Sequence, residues 1–490
     1  MLEKTVSATE DLPNSDDRPN ILLIITDQQR FDTIAAHGHP HMHTPNLDRL
    51  ANEGVSFSQC HITAASCVPS RASLFTGYYP HTTGVLENEQ DWQTTWVQDL
   101  KSSGYTCVNV GKMHTNPFTA EAGFSERYNV ENKDRYLQGR WYFDEWDKAL
   151  ASHGLVKQQR EHYRNRDDYG TRLGAFEWEL PEELHSDMFV GNFTKWWLDT
   201  KPKSSPLFMQ VGFPGPHPPY DPSQRFIEKY ENREDIPMPI VTDEDLASQP
   251  SYMEEKRVHD SKVDHDSVIW NLDRSKEDER RMRAYYYANV TMIDECVGNI
   301  MESLDRNDYL DNTVVIFTSD HGDCLGDHGL SQKWSMYDVV TRVPMIIWSP
   351  NKFKGGRTVD DLCQLFDLGP TILELAGLTP SSDMEAESLL PILKGQEWTA
   401  RDHVFCEQAG DMVITGADFI TMVRSKKWKL VHLMGSAEGQ LFDLEADPNE
   451  LTNLWLNADH SSIKQELKET LLEWLIASNY KTRDRTAAFR

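Results

Sequence analysis

Four apolar runs, far apart in the chain, each stop abruptly on polar residues. Residues 20–26 end in Asp27-Gln28-Gln29-Arg30, 105–110 in Gly111-Lys112-Met113-His114, 207–213 in a proline-rich segment holding His217, and 313–319 in Asp320-His321-Gly322-Asp323. Unbroken apolar character is expected of strands covered on both faces in a parallel sheet. In open α/β sheets ligands bind beyond the carboxyl ends of the strands, so parallel strands would deliver all four polar endings to one sheet edge. Residues 343–348 read as a further strand. The expected fold is α/β, a large sheet flanked by helices.

The remaining segments read as cover for that sheet and as an appendage. Thr44-Pro45-Asn46 followed by Leu47, Leu50 and Ala51 predicts a capped amphipathic helix ended by Gly54. Tyr286, Val290, Ile293, Val297, Ile300 and Leu304 recur at steps of three and four, predicting a long helix with one core face; the sequon at Asn289 lies inside it and is discounted. Residues 125–200, rich in aromatics including Trp141, read as an excursion outside the sheet, and the acidic stretch 224–278 as a surface insertion or lid. Beyond about Pro380 the pattern changes: 428–434 and 440–443, split by a Gly/Ser-rich turn, predict an antiparallel hairpin, and Ile463, Leu467, Leu471 and Leu475 a closing helix. The division expected is a disordered leader over 1–19, a catalytic α/β domain over 20–380 and a small α+β domain over 381–490.

Charge and cysteine usage narrow the partners. With 49 basic against 78 acidic residues the net charge is −29, which argues against nucleic acid or an anionic membrane surface. The seven cysteines form no CxxC pair and no dense framework, and the polar N-terminus has no apolar h-region, so a soluble cytoplasmic protein is expected.

Within that frame Ser66-Cys67-Val68-Pro69-Ser70-Arg71 is singular. Pro69 suits a first helical turn and Gly77 the position past the last, which places Cys67 at a helix N-terminus, where an anion is favoured. Arg71, one turn on, can reach back toward it. The spacing misses the Cys-to-Arg separation of cysteine phosphatase loops. Asp27, Gln28, Asp320 and His321 offer two carboxylates, an amide oxygen and an imidazole, a mostly oxygen site for a hard divalent cation: Ca²⁺, Mg²⁺ or Mn²⁺. The histidines at 37, 39, 41 and 43 read as a solvated loop.

Cys67-Val68-Pro69-Ser70-Arg71, with its later Thr76-Gly77, resembles the sulfatase signature. Thr44-Pro45-Asn46-Leu47-Asp48-Arg49-Leu50, Gly111-Lys112-Met113-His114, Ser319-Asp320-His321-Gly322-Asp323 and Leu441-Phe442-Asp443 through Pro448 follow in the family's order. The resemblance implies a formylglycine-dependent type I sulfatase with the fold of the alkaline phosphatase superfamily: a large mixed α/β domain and a smaller C-terminal α+β domain. It implies a sulfuric ester hydrolase in which Cys67 is converted to formylglycine by a formylglycine-generating enzyme. The reaction would run through a covalent sulfo-enzyme intermediate on a small-molecule or carbohydrate sulfate ester. By the same resemblance Asp27, Gln28, Asp320 and His321 hold one divalent cation, Ca²⁺ ahead of Mn²⁺ or Mg²⁺. Arg71 would orient the diol, Lys112 and Lys333 hold the sulfate, His217 protonate the leaving alcohol and His114 take a proton from the second hydroxyl. His328 is read as structural. Two positions depart from the commonest pattern: Gln28 and His321 stand where Asp and Asn are usual. The Gln/His version also occurs in phosphonate monoester hydrolases, so a phosphonate or phosphodiester substrate is the alternative. An unmodified Cys67 would leave a non-catalytic anion-binding protein. Oligomerisation is compatible with all of these readings.

Overall fold

Ile21, Leu22, Leu23, Ile24 and Ile25 are each at most 2% exposed, so both faces of this strand, β1 (Asn20–Asp27), are covered. Each such side chain contributes about 1.5–3 kcal/mol on burial, enough to fix the segment at the sheet centre. The computed structural model describes residues 18–136, 142–201, 203, 206–410, 413–414 and 416–482. The expected leader, except its last two residues, and Trp141 lie outside the described residues.

Around β1 the sheet takes in β2 (Val55–Phe57), β3 (Thr106–Gly111), β4 (Glu126–Asn129), β5 (Leu207–Pro216), β6 (Thr313–Ser319), β7 (Met345–Trp348) and β8 (Arg357–Val359). The order across it is β8-β2-β7-β6-β1-β5-β3-β4. All neighbours run parallel except those of β7, which is antiparallel to both β2 and β6. Ile21 is in register with Phe208 on one side and Val314 on the other, so β1, β5 and β6 end together. The register breaks between Thr26 and Asp27, where the chain leaves the sheet and the chemistry begins.

Helix α1 (Pro45–Glu53) forms as the sequence predicts, but Thr44 does not cap it with its side chain. The carboxylate of Asp294 does so instead, accepting from the backbone N–H groups of Asn46 and Leu47. That acceptor comes from the long helix on the same side of the sheet. The other helices that bear on the site are α2 (Cys67–Thr76), α3 (Ser186–Thr200), α4 (Ser251–Asp260) and α5 (Lys276–Arg306). Ser275 and Asp278 form a capping box at the start of α5, and its Asn289 is fully buried, consistent with discounting the sequon.

Two expectations need correction. The stretch 125–200 is not wholly outside the sheet: β4 pairs with β3 as the edge strand, and α3 packs against α5 and β5. Aromatic rings on both faces of α3, with Trp197 buried and Trp196 half exposed, hid its period. The acidic stretch 224–278 is anchored rather than superficial. Phe226, Ile227, Tyr230, Ile236, Tyr252, Met253 and Trp270 are buried and hold it to the body, while Ile240, Val258, Val263 and Leu272 stay exposed.

The predicted C-terminal hairpin is present as β11 (Trp428–Leu433) and β12 (Gly439–Asp443). Two further strands, β9 (Val404–Ala409) and β10 (Phe419–Arg424), complete a four-stranded antiparallel sheet, and α6 (Ser461–Thr482) closes the described chain with Leu467 and Leu471 buried. This small sheet is tied by ions to Asp338, on the segment that leads into β7. Asp338 receives Arg424 and Lys429 from it, and Lys429, fully buried, also meets Glu450.

Candidate active site

Cys67 is the first residue of α2, entered from an extended Ser66 (φ −149°) and closed ten residues later by a left-handed Gly77 (φ 78°). Asn88 holds this helix start, its Oδ1 accepting from Ser66 Oγ at 2.9 Å and from the Val68 N–H at 3.1 Å. One amide of the expected anion nest is therefore already engaged. Arg71 is held largely by groups other than Cys67, although its Nη2 makes no hydrogen bond. Its Nε donates to Asp320 Oδ2 at 2.7 Å, its Nη1 to Lys112 O at 3.1 Å, and its Nη2 lies 3.6 Å from Asp27 Oδ2. A fully buried guanidinium thus spans the two carboxylates and positions them.

Parallel topology brings the strand endings to one place. Asp27, Cys67, Asp320 and His321 are fully buried and offer ligand atoms all within 4.8 Å of one another. His321 Nε2 is 3.1 Å from Cys67 Sγ and 3.7 Å from an oxygen of each carboxylate. Its Nδ1–H donates to Gly322 O at 2.9 Å, which turns the Nε2 lone pair toward the cluster, as the backbone contact of a ligating imidazole usually does. Gln28 adopts a left-handed backbone (φ 71°), held by Tyr286, whose hydroxyl donates to Gln28 O at 2.7 Å. Its amide Nε2 donates to Asp323 at 2.7 Å, leaving Oε1 on the cluster side, where Lys333 Nζ donates at 3.1 Å. Two carboxylates, an imidazole and an amide oxygen fit a hard divalent cation.

Positive charge surrounds the thiol. Lys333 is 1% exposed rather than the surface lysine its type would suggest, and its Nζ lies 2.8 Å from Cys67 Sγ. Lys112 Nζ pairs with Asp27 Oδ2 at 2.6 Å. The Gly111–Gly212 contact between β3 and β5 makes this approach possible: a Cβ on Gly111 would collide with Gly212 O, and one on Gly212 with Lys112 O. His217 follows the cis Gly215–Pro216 bond. Its Nδ1–H donates to Pro218 O at 2.8 Å and its Nε2 lies 3.6 Å from Asp266. His114 is held through its N–H on Glu131, and its Nδ1 is buried without a partner. Cys67, Lys112, His114, His217 and Lys333 all line one cavity of about 510 Å³.

The protonation states follow from these neighbours. Burial alone would raise the Asp27 carboxyl, but Lys112, His217, Lys333 and Arg71 hold it well below the usual range. Burial opposes the Lys333 ammonium, yet Cys67, Asp27 and Asp266 keep it above the ordinary lysine value. Burial pushes His114 and His217 well below the usual imidazole range, helped by Lys112 at the first and Lys333 at the second; Asp27 and Asp266 pull His217 back up. Burial also acts against a charged His321, but Asp320 and Cys67 outweigh it and raise its pKa. The surroundings of that Nε2 favour positive charge, which a proton or a cation can supply.

All ten residues singled out in the sequence are brought together. Asp266, from the acidic stretch, lines the same cavity beside Arg135, Tyr136 and Trp334. Trp334 adjoins Lys333 in the sequence, but no strand ending or motif marks Asp266, Arg135 or Tyr136, so the sequence offered no signal for those three. The histidines at 37, 39, 41 and 43 do not join the site: His39 packs on Tyr287 and His41 meets Asp235. His328 stacks on Tyr337 and pairs with Asp245, a structural position as read.

A mixed sheet with a buried oxygen-rich cluster at its carboxyl edge, a small antiparallel sheet beyond it and a buried cysteine at a helix start is the architecture of the alkaline phosphatase superfamily of hydrolases. The sulfatase family model matches residues 19–378, and one for the C-terminal part of N-sulphoglucosamine sulphohydrolase matches 326–476. An arylsulfatase from Clostridium perfringens is 30% identical over 477 residues, 94% of each chain. A choline-sulfatase from Rhizobium meliloti is 30% identical over 89% of this chain and 82% of its own. The crystal structure of a phosphonate monoester hydrolase from Agrobacterium radiobacter superposes with a TM-score of 0.78 at 26% identity, covering 96% and 97% of the two chains. The chain belongs to the sulfatase family and is a sulfatase-type hydrolase. Among the described residues no helix is long and apolar enough to cross a membrane.

Proposed function

We propose that this protein hydrolyses a sulfate ester, small or carbohydrate-borne, at residue 67 after conversion of Cys67 to formylglycine. One observation carries the reading: Cys67 Sγ lies 3.1 Å from His321 and 2.8 Å from Lys333, on the wall of an open cavity, between the carboxylate–imidazole cluster and the two lysines. Formylglycine would supply a hydrated aldehyde as nucleophile, and a divalent cation held by Asp27, Gln28, Asp320 and His321, Ca²⁺ before Mn²⁺ or Mg²⁺, would lower the pKa of its hydroxyl and neutralise ester oxygens.

The chain's own residues account for the rest. Arg71 fixes the geometry of both carboxylates. Lys112 and Lys333 hold the oxygens of the transferring group as negative charge builds on them. Three fixed cations, Arg71, Lys112 and Lys333, offset the carboxylates of Asp27, Asp320 and Asp266, so a bound divalent cation would leave the site with an excess of positive charge. An anionic ester is what such a site attracts. His217, with Nδ1 committed to the backbone, would carry a proton to the leaving oxygen on the Nε2 that faces Asp266, and His114 would take one from the diol on its unpartnered Nδ1.

The reading extends to organisation and place. Every proposed site residue falls within 20–380, which fits a catalytic domain there and an appended one over 381–490. All seven cysteines are buried and unpaired, in keeping with a reducing, cytoplasmic setting, where a formylglycine-generating enzyme would be the required maturation partner.

The likeness to a phosphonate monoester hydrolase, together with the Gln28/His321 pair, favours a second reading in which the same residues act on phosphonate monoesters or phosphodiesters. Steady-state rates on paired aryl sulfate and phenyl phosphonate esters separate the two. A large preference for sulfate is expected, and the reverse preference overturns the assignment. Peptide mass spectrometry across Cys67 in protein co-produced with a maturation enzyme should show a loss of about 18 Da, the mass arithmetic of thiol to aldehyde. A thiol that stays intact in catalytically active protein counts against the mechanism.

A further inference from the structure

At the end of α4, apart from the cation cluster, three ligating side chains converge. His259 lies in the last turn of the helix, Asp260 is its final residue, and His265 sits on the turn that follows. The two imidazole Nε2 atoms are 2.9 Å apart, with ring planes within 20° of parallel. A carboxylate oxygen of Asp260 and both ring nitrogens lie within 4.8 Å of one another. Two imidazoles meeting nitrogen to nitrogen are stable only if exactly one proton, or one cation, lies between them.

The carboxylate supplies an independent observation. Asp260 is 6% exposed, and its Oδ2 is taken by Lys256 Nζ, while its Oδ1 is buried with no hydrogen-bond partner. A buried carboxylate oxygen left unpaired bears its desolvation cost uncompensated, so a cation at this point would relieve a real deficit. The histidines are each half-buried, leaving an open side for entry and for a water ligand.

We propose that His259, Asp260 and His265 form an accessory site for Zn²⁺ or a similar late divalent ion. Two neutral imidazoles and one carboxylate with an open fourth position match that class. Ca²⁺ and Mg²⁺, which demand six or more oxygens, do not suit it. Tetrahedral ligation at about 2.0–2.1 Å places two nitrogens roughly 3.3 Å apart with their lone pairs converging, so the rings, which now meet almost head-on with centroids 5.1 Å apart, must swing toward a common point as they part, a movement their half-buried positions permit. The site is coupled to the cavity wall. His265 precedes Asp266, whose carboxylate faces His217, and its carbonyl accepts from Gln332 Nε2 at 3.1 Å, one residue before Lys333. An ion here would pin the turn that carries Asp266.

The test uses full-length protein saturated with Ca²⁺ and then equilibrated with Zn²⁺, followed by removal of loose metal and elemental analysis. Wild type should retain one zinc per chain more than His259→Gln or His265→Gln, and Co²⁺ in its place should give a visible tetrahedral band that both variants lose. Because both histidines are partly exposed, the variants should fold, which circular dichroism checks. Asp320→Asn, which disables the main cluster, should keep the accessory zinc. Equal zinc content in wild type and both histidine variants overturns the proposal, as does a zinc lost in Asp320→Asn but kept in His259→Gln. Since the readout is metal content and not turnover, it can fail while the sulfatase reading stands.

Discussion

Lys333 owes its importance to where it is buried. A lysine at 1% exposure is tolerated only because Cys67, Gln28 and the carboxylates of Asp27 and Asp266 surround it. If it holds the transferring group, Lys333→Met should lower kcat/KM by about 10²–10³-fold, the range found for removing one such donor, while circular dichroism and cation content stay unchanged. Asp266 allows a second test at this scale. Burial and Lys333 depress the His217 pKa, while Asp27 and Asp266 raise it. Removing the charge in Asp266→Asn should therefore lower it further, and the alkaline limb of the kcat/KM profile should move to lower pH. A limb that does not move would remove His217 from the role of acid. Sequence reading found Lys333 through a family motif and missed Asp266. The carboxylate reaches the cavity only because an acidic, motif-free stretch folds back over it.

Elements matter here through what they hold at their ends. α1 has Thr44 at the expected capping position, yet its N-terminal amides are satisfied by Asp294, some 250 residues later and midway along α5. Asp294→Ala should destabilise the protein by about 0.5–2 kcal/mol, the span for losing a helix cap. Chemical denaturation would read this as a lower midpoint with an unchanged slope. The periodic pattern showed that α1 exists. It could not show that the acceptor is long-range, because a cap is a matter of geometry and not of local residue type. The same holds for α3, whose aromatic residues on both faces erased the 3.6-residue signal that α5 displays clearly.

At the scale of the molecule, buried charge ties the small sheet to Asp338, on the segment that leads into β7. Lys429 is fully buried between Asp338 and Glu450. Lys429→Met would leave two carboxylates short of a partner and should cost about 3–5 kcal/mol, visible as a lower thermal midpoint or as early loss of the small sheet. A second clasp is pH-dependent. His81 Nδ1 meets Glu407 of β9 at 2.9 Å and its Nε2 meets Ser478 of α6 at 2.6 Å. Burial lowers the His81 pKa, but the Glu407 hydrogen bond and charge outweigh it, so the folded value lies above the ordinary 6.5. The folded state then binds more protons than the unfolded one. This contribution is complete below about pH 6.5 and is lost as pH rises through the higher folded value. The difference in thermal midpoint between wild type and His81→Gln should accordingly be larger at pH 6 than at pH 9.

The sequence alone determined the central strands, the sheet edge on which their polar endings meet, and the residues that gather there. Unbroken apolar runs admit few alternatives to a doubly covered sheet, and parallel strands must end on the same side. Only the tertiary structure decided that Arg71 braces two carboxylates, that Asp266 completes the cavity wall, and that a distant carboxylate caps α1. Each of these depends on the direction of a side chain across a contact between segments remote in sequence, and no local pattern of residues encodes that direction.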